Sequence, residues 1–325
     1  MSMFFTPKGV FFMKKLLAFG PIFIVITALL WSFDGLLRIT LYSLPPAVIV
    51  FYEHFLGAII LLFISFKWFG DLKKMTKKEW VAIGIVALFS GALGTILYTA
   101  ALQQINYSSY SVVVLLQQQL QPIWAIATAA ILLKERLTKN FLWWALLALG
   151  AAYFITFPNL HVNITTGKGT LLAGLYAILA GLLWGSSTAF SKYVLNKVSF
   201  LTGVAARYYL APIFAFFFIV GTGTTKALTQ ITIPQFETLL IITFSTGMLA
   251  LSFYYYGLKK TPARITTLLE LVWPASAIFI DYFMYHKFLT PTQIFGVIVL
   301  LIAIYQITKP LQKGSEELAV EAVRT

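Results

Sequence analysis

Apolar runs of about 18 or more residues recur from one end of this chain to the other, and each is long enough to cross the roughly 30 Å hydrocarbon core of a bilayer as a helix. That feature excludes most folds. A soluble domain carries about 25% charged residues, whereas here the share is 11%, against 59% hydrophobic. No globule could hide so much apolar surface. The period-two alternation of a transmembrane barrel is missing. The expectation is an all-α polytopic membrane protein.

Spans are predicted near Leu16–Leu37, Pro45–Phe66, Trp80–Leu102, Ser109–Leu133 and Phe141–Phe157, then near Thr170–Val194, Phe200–Gly221, Phe236–Leu258, Ile265–Tyr285 and Pro291–Thr308. The chain thus divides into a cytoplasmic N-terminal segment (1–15), a five-helix repeat (16–157), an outer linker (158–169), a second five-helix repeat (170–308) and a polar tail (309–325) expected to be disordered. Lys14 and Lys15 ahead of an apolar run resemble a signal peptide. The run continues to about Trp31 without a small-residue cleavage site, so it reads as an uncleaved first span. Met1 and Met13 both stand as starts.

The net charge of +13 would suggest nucleic acid in a soluble protein, but here the basic residues lie in short loops, where they set topology. No nucleic-acid partner is expected. With the N-terminus inside, nineteen Lys and Arg fall on the inner side and four on the outer (Arg38, Lys168, Lys226, Lys287), with Arg207 within a span. That bias places both termini in the cytoplasm. Zero cysteines exclude disulfides, thiolate metal sites and a Cys nucleophile. His161 and His286 fall in or near outer loops, and "GTGTTK" lacks the phosphate-loop spacing. No catalytic set emerges, so no enzyme, metal or cofactor is expected.

The halves resemble each other. "ALLWSFDGLLR" around Trp31 matches "GLLWGSSTAFS" around Trp184, and the same register carries His54 onto Arg207. "LYTAALQQ" at Leu97 matches "FYYYGLKK" at Phe253, "LLQQQLQP" matches "TLLELVWP" with Pro122 on Pro274, and "ERLT" at Glu135 matches "KFLT" at Lys287. Five is odd, so the two copies must insert with opposite orientation. Inverted repeats of this kind mark secondary transporters, whose site lies near the midplane between the repeats.

In these features the chain resembles the drug/metabolite transporter superfamily, EamA-like type, over about residues 16–308. The resemblance rests on the paired "LLW", the polar residue of the second span of each repeat (His54, Arg207), the prolines of the fourth (Pro122, Pro274) and "LLKERLT". It implies ten transmembrane helices in two inverted five-helix repeats and an alternating-access carrier of small metabolites, often an amino-acid exporter. The sequence departs from the family at His54, where arginine is common, and at Lys287, where glutamate is usual.

Ionisable residues deep in a span cost about 2.5–3.5 kcal/mol each on insertion scales. Lys192, Asp281 and Arg38 lie near span ends and are expected to snorkel, while Asp34 and Arg38, four apart, can pair. Glu53, His54, Arg207 and Glu270 lie deeper. Pro274 cannot donate to the Glu270 carbonyl four residues back, so Pro274, and by symmetry Pro122, mark expected helix breaks. Glu270 and Arg207 are read either as opposite poles for a substrate or as a buried pair that neutralises itself. Gln117 and Gln121 share a face, Gln118 projects elsewhere, and all three amides suit a zwitterionic ligand or interhelical bonds. The pairs Trp31 and Trp184, and Tyr98 and Tyr254, complete the candidate substrate contacts, with helix packing as the alternative use of these rings. Ser186, Ser187 and Thr188 add hydroxyls toward the same region.

The expected protein is a secondary transporter, an exporter of amino acids or similar small polar metabolites, in a prokaryotic cytoplasmic membrane. An organic-anion, nucleotide or cofactor exchanger is the rival within transport. A membrane receptor or intramembrane enzyme is the rival outside it. The partners expected are a small-molecule substrate and the lipid bilayer, and a homodimer stays open.

Overall fold

In hydrocarbon no water can satisfy a peptide group, so an apolar run must close its own hydrogen bonds as a helix. The computed structural model describes residues 19–64, 69–104, 110–157, 159, 170–286 and 288–324, and among them every regular element is helical. The N-terminal segment, nearly all of the 158–169 linker and Lys287 lie outside the described residues. So do the side chains of Gln117, Gln118 and Asp281.

Eight described helices are long and apolar enough to cross a membrane: Gly20–Leu41, Pro46–Phe63, Lys77–Gln104, Leu171–Leu195, Phe200–Gly221, Ile233–Lys260, Ala263–Ile280 and Pro291–Leu311. Two shorter apolar helices, Leu120–Leu132 and Lys139–Ile155, take the fourth and fifth places in the order. These are the first to tenth spans of a polytopic protein.

Several spans begin where a side chain can cap the orphan N–H groups of a first turn. Thr76 and Glu79 form a reciprocal capping box before the third span. Thr138 caps the fifth, Ser199 the seventh, and Thr232 with Gln235 the eighth. The caps place the third and eighth spans about one turn earlier than hydropathy alone suggested. The tail is a correction: rather than disordered, the chain continues from the tenth span as helix through Pro310 to Arg324.

The interfaces follow an internal two-fold. The third span packs on the sixth as the eighth packs on the first, while the second pairs with the seventh and the fifth with the tenth. Each contact maps onto another, or onto itself, when the repeats are exchanged. The third and eighth spans also carry seven-residue π-helical segments, Ala87–Leu93 and Thr243–Leu249. In the repeat register these coincide residue for residue. A π segment re-aims carbonyls and side chains within a helix and is commonly found at functional sites.

The helix breaks do not obey the two-fold. The ninth span is interrupted at Glu270 and Leu271 between Ala263–Leu269 and Val272–Tyr285, so the break expected at Pro274 lies just ahead of that proline. Pro122 is a correction: it sits inside one unbroken helix, Tyr110–Leu132. The first span is likewise interrupted at Ser32 and Phe33, whereas its counterpart, the sixth, runs unbroken over Thr170–Leu195.

Candidate functional site

Eight of the ten spans surround a cavity of about 90 Å³. None of its lining residues comes from the fifth or tenth span. These two are scaffold, gripping each other through contacts such as Gln293 Nε2 donating to the Ile155 carbonyl at 3.1 Å.

One wall is ionic. Arg38 is buried at 2% exposure, not snorkelled as its place near a span end suggested. Its Nε and Nη2 donate to Asp34, and Nη2 also donates to Glu53 Oε2 at 2.8 Å. The expected Asp34–Arg38 pair is therefore one half of a triad. Thr246, from the π segment of the eighth span, donates to Asp34 Oδ1 at 2.7 Å and ties the triad to the second repeat. Two carboxylates on one guanidinium satisfy a buried cation that would otherwise be costly.

Beside the triad, His54 bonds the Val50 carbonyl through Nδ1 at 3.0 Å, with its ring 5.0 Å from that of Tyr208. Arg207 donates from Nη2 to the Ser90 carbonyl at 2.9 Å, in the π segment of the third span. Its buried Nε has no partner. The seventh span thus holds a guanidinium against a carbonyl that the π segment turns outward.

The same lining carries Glu270, 2% exposed. It accepts from Gln121 Nε2 and, at 2.8 Å, from the Tyr254 hydroxyl, which also contacts Thr188 Oγ1 at 3.1 Å. Glu270 and Arg207 do not form the self-neutralising pair that was one reading of the sequence. Nor is the Glu270 carbonyl left free by Pro274, because the Trp273 N–H turns back to it at 2.9 Å.

Five rings close this end. Trp31 lies 5.2 Å from Tyr254 and 5.9 Å from Trp273, centroid to centroid, and Tyr98 lies 5.2 Å from Trp184. Trp184 stacks on Trp273 at 6.1 Å with an interplanar angle of 26°. Trp31 Nε1 donates to the Thr246 carbonyl at 3.1 Å, whereas Trp184 Nε1 has no partner. By the repeat, Trp184 should use the Ser90 carbonyl, which accepts from Thr95 and Arg207 instead.

Of the residues expected to contact substrate, the structure brings Glu53, His54, Arg207, Glu270, Gln121, Trp31, Trp184, Tyr98 and Tyr254 to this one cavity. It also adds Asp34, Arg38, Ser90, Thr246, Tyr208 and Trp273. Trp273 lies in the same "LLELVWP" as Glu270. Ser90 and Thr246 are equivalent in the repeat, and that pairing was the available signal for them.

Comparison with known proteins bears on the identity of this cavity. Residues 18–157 and 171–309 each match the model of the EamA-like transporter family. The riboflavin transporter ImpX of Fusobacterium nucleatum subsp. nucleatum (strain ATCC 23726 / VPI 4351) is 35% identical over 292 residues, covering 89% of this chain and 97% of the relative. One crystal structure, 16% identical, superposes with a TM-score of 0.68 over 89% of this chain and 98% of the other, a likeness of fold alone.

Proposed function

The chain belongs to the EamA-like transporter family, and from that premise we propose that it carries riboflavin, or a close relative with the same flat tricyclic ring, by alternating access between its repeats. That it is a multi-pass membrane transporter of small molecules follows from the family and its spans. The choice of substrate rests on the aromatic end of the cavity. Trp31, Trp184, Trp273, Tyr98 and Tyr254 converge there, and flat π systems favour such surfaces in offset or edge-on contact, worth about 0.5–1.5 kcal/mol per pair beyond burial. Gln121 and Glu270 beside the rings offer a donor and acceptor edge for the imide of the ring. The hydroxyls of Ser187, Thr188 and Thr246 suit a polyol chain. The relative named as a riboflavin transporter supports the same choice.

An amino acid would use Arg207 and Glu270 as carboxylate and ammonium poles. It would leave most of the aromatic surface unused, so this reading is second. With Arg38 buried among the spans, nineteen basic residues against three support a cytoplasmic membrane with both termini inside, which reporter fusions at the C-terminus would check.

The deciding experiment is counterflow in proteoliposomes loaded with unlabelled riboflavin. Labelled riboflavin should accumulate saturably, with leucine and other amino acids failing to compete. Exchange of an amino acid without exchange of riboflavin would return the carrier to the amino-acid class. Growth of a riboflavin-requiring bacterium on limiting external riboflavin reads the inward direction; counterflow without growth would mark an exporter.

A further inference from the structure

The charged groups around the cavity bear on which flavins can enter. Arg38 is fully committed, since its guanidinium already serves Asp34 and Glu53. Arg207 is the other lining guanidinium, with one nitrogen on the Ser90 carbonyl and Nε uncommitted. Against these stand three carboxylates, Asp34, Glu53 and Glu270. Glu270 differs from the other two in having no counter-charge. Its hydrogen bonds come from a neutral amide and a phenol. No described Lys, Arg or His forms an ion pair with it.

A phosphate monoester brings about −1.5 to −2 charges and three acceptor oxygens. Sites that accept such a group present several cationic or N–H donors together. Here Arg207, already held on the Ser90 carbonyl, is the one lining guanidinium among the described residues not consumed by carboxylates, while three carboxylates share the lining. In a site walled by hydrocarbon, like charges repel far more strongly than in water.

We infer that the cavity admits uncharged riboflavin and rejects its phosphate ester, with Glu270 beside Trp273 as the specificity-determining residue. This rests on the flavin reading above and goes beyond it, because the aromatic rings alone would bind both molecules equally well. The ionic triad supplies the complementary half of the selectivity. By consuming Arg38 internally, it removes a cation that a phosphate would otherwise find.

The test uses the purified full-length chain and the fluorescence of the flavin itself, which is quenched when the ring stacks on an indole. Titrations of riboflavin, the methyl phosphodiester of flavin mononucleotide, and flavin mononucleotide form a series of increasing negative charge. Affinity should fall at each step, with the mononucleotide at least tenfold weaker than riboflavin. In Glu270→Gln the ratio between the two should narrow by about tenfold whatever the absolute affinities become. Glu270→Asp, which keeps a carboxylate at the position, should leave the ratio near that of the parent. Equal binding of all three flavins by the unaltered protein would overturn the inference while leaving the flavin reading intact. A ratio moved as far by Glu270→Asp as by Glu270→Gln would overturn the assignment to charge. Binding of none of the three would remove the flavin reading and this inference with it.

Discussion

The interface between the fourth and sixth spans and that between the ninth and first are equivalent in the repeat, yet they are built differently. The fourth and sixth are continuous helices in extensive contact. Gly185 makes that contact: a Cβ there would stand 2.4 Å from the Gln121 carbonyl oxygen. The ninth and first spans are both interrupted and touch far less. At the place of Gly185 the first span has Ser32, whose hydroxyl turns to its own Leu29 carbonyl at 2.6 Å. A duplicated scaffold therefore holds one tight and one interrupted interface at the same time. In an inverted-repeat carrier, rocking of the halves about a central site is the expected motion, and the interrupted pair carries Glu270 and Asp34 at its breaks, with Arg38 one turn beyond.

Substitutions at equivalent positions would break this comparison or sharpen it. The largest effect is expected at Arg38→Ala, which strands Asp34 and Glu53 in the membrane. Leaving buried charges uncompensated costs about 3–5 kcal/mol, whereas the equivalent Ser191→Ala should cost about 0.5–1.5 kcal/mol for its one hydrogen bond. Thermal unfolding in detergent compares the two directly, and equal losses would show that the ionic triad carries no special weight. Next is Gly185→Ala, where a Cβ forced against backbone should cost about 1–3 kcal/mol. Ser32→Ala at the interrupted interface should lie within about 1 kcal/mol of the parent. If Ser32→Ala proved as damaging, the two interfaces would be alike in packing.

Trp31→Phe removes a hydrogen bond to the Thr246 carbonyl and should cost about 1 kcal/mol more than Trp184→Phe, which has none to lose. A difference of the opposite sign would place the working indole in the second repeat. The smallest effect is expected outside the membrane. Asp71 accepts from Lys74, from the Ser199 N–H at 3.1 Å and from Thr202 at 3.2 Å, and the Lys74 ammonium followed by the Ser199 N–H holds its pKa at about 2 against a usual 3.8. Because the folded value is depressed, its stabilisation is fully present above pH 3.8 and fades as pH falls toward 2. Asp71→Asn should flatten that part of an acid-unfolding curve and lower stability at neutral pH by about 0.5–1 kcal/mol, the contribution that the parent loses only on acidification.

Asp71 belongs to a set of ties on the face that joins the second to the third span and the eighth to the ninth. There Glu135 accepts from the N–H groups of Ala263 and Arg264 at the start of the ninth span and pairs with the Arg264 side chain at 3.0 Å. Lys192 donates to the carbonyls of Leu258 and Lys259. On the opposite face the described ties between the repeats are neutral, as where Tyr52 meets the Leu228 carbonyl or Gln235 meets Ser43. The repeats are thus pinned by charge on one face and by neutral hydrogen bonds on the other.

What could be read in the chain depended on range along it. The fall of hydropathy below each span, the side chains that cap helix starts, and the register of "LLW" on "LLW" are local or periodic signals. Glu270 stood out because a carboxylate in an apolar run has few structural explanations, and its proline neighbour pointed to a weak helix. Arg38 was misjudged because distance from a span end says nothing about whether a second carboxylate, Glu53, waits on the neighbouring helix. Pro122 was misjudged by symmetry. A proline weakens a helix, but whether the helix breaks depends on what packs around it, and the sixth span supports the fourth along its length.

The sequence by itself determined that this chain spans a membrane, in two inverted copies of five helices, because hydrocarbon demands long apolar helices and an odd repeat must invert. It also marked the polar residues that hydrocarbon would not tolerate without a purpose. Only the tertiary structure decided their partners: Arg38 went to Asp34 and Glu53, Glu270 to Gln121 and Tyr254, and Arg207 to a carbonyl freed by a π segment. Pairing of buried polar groups is settled across helices that are distant in sequence. No local pattern records which donor reaches which acceptor once the two repeats have closed around a common cavity.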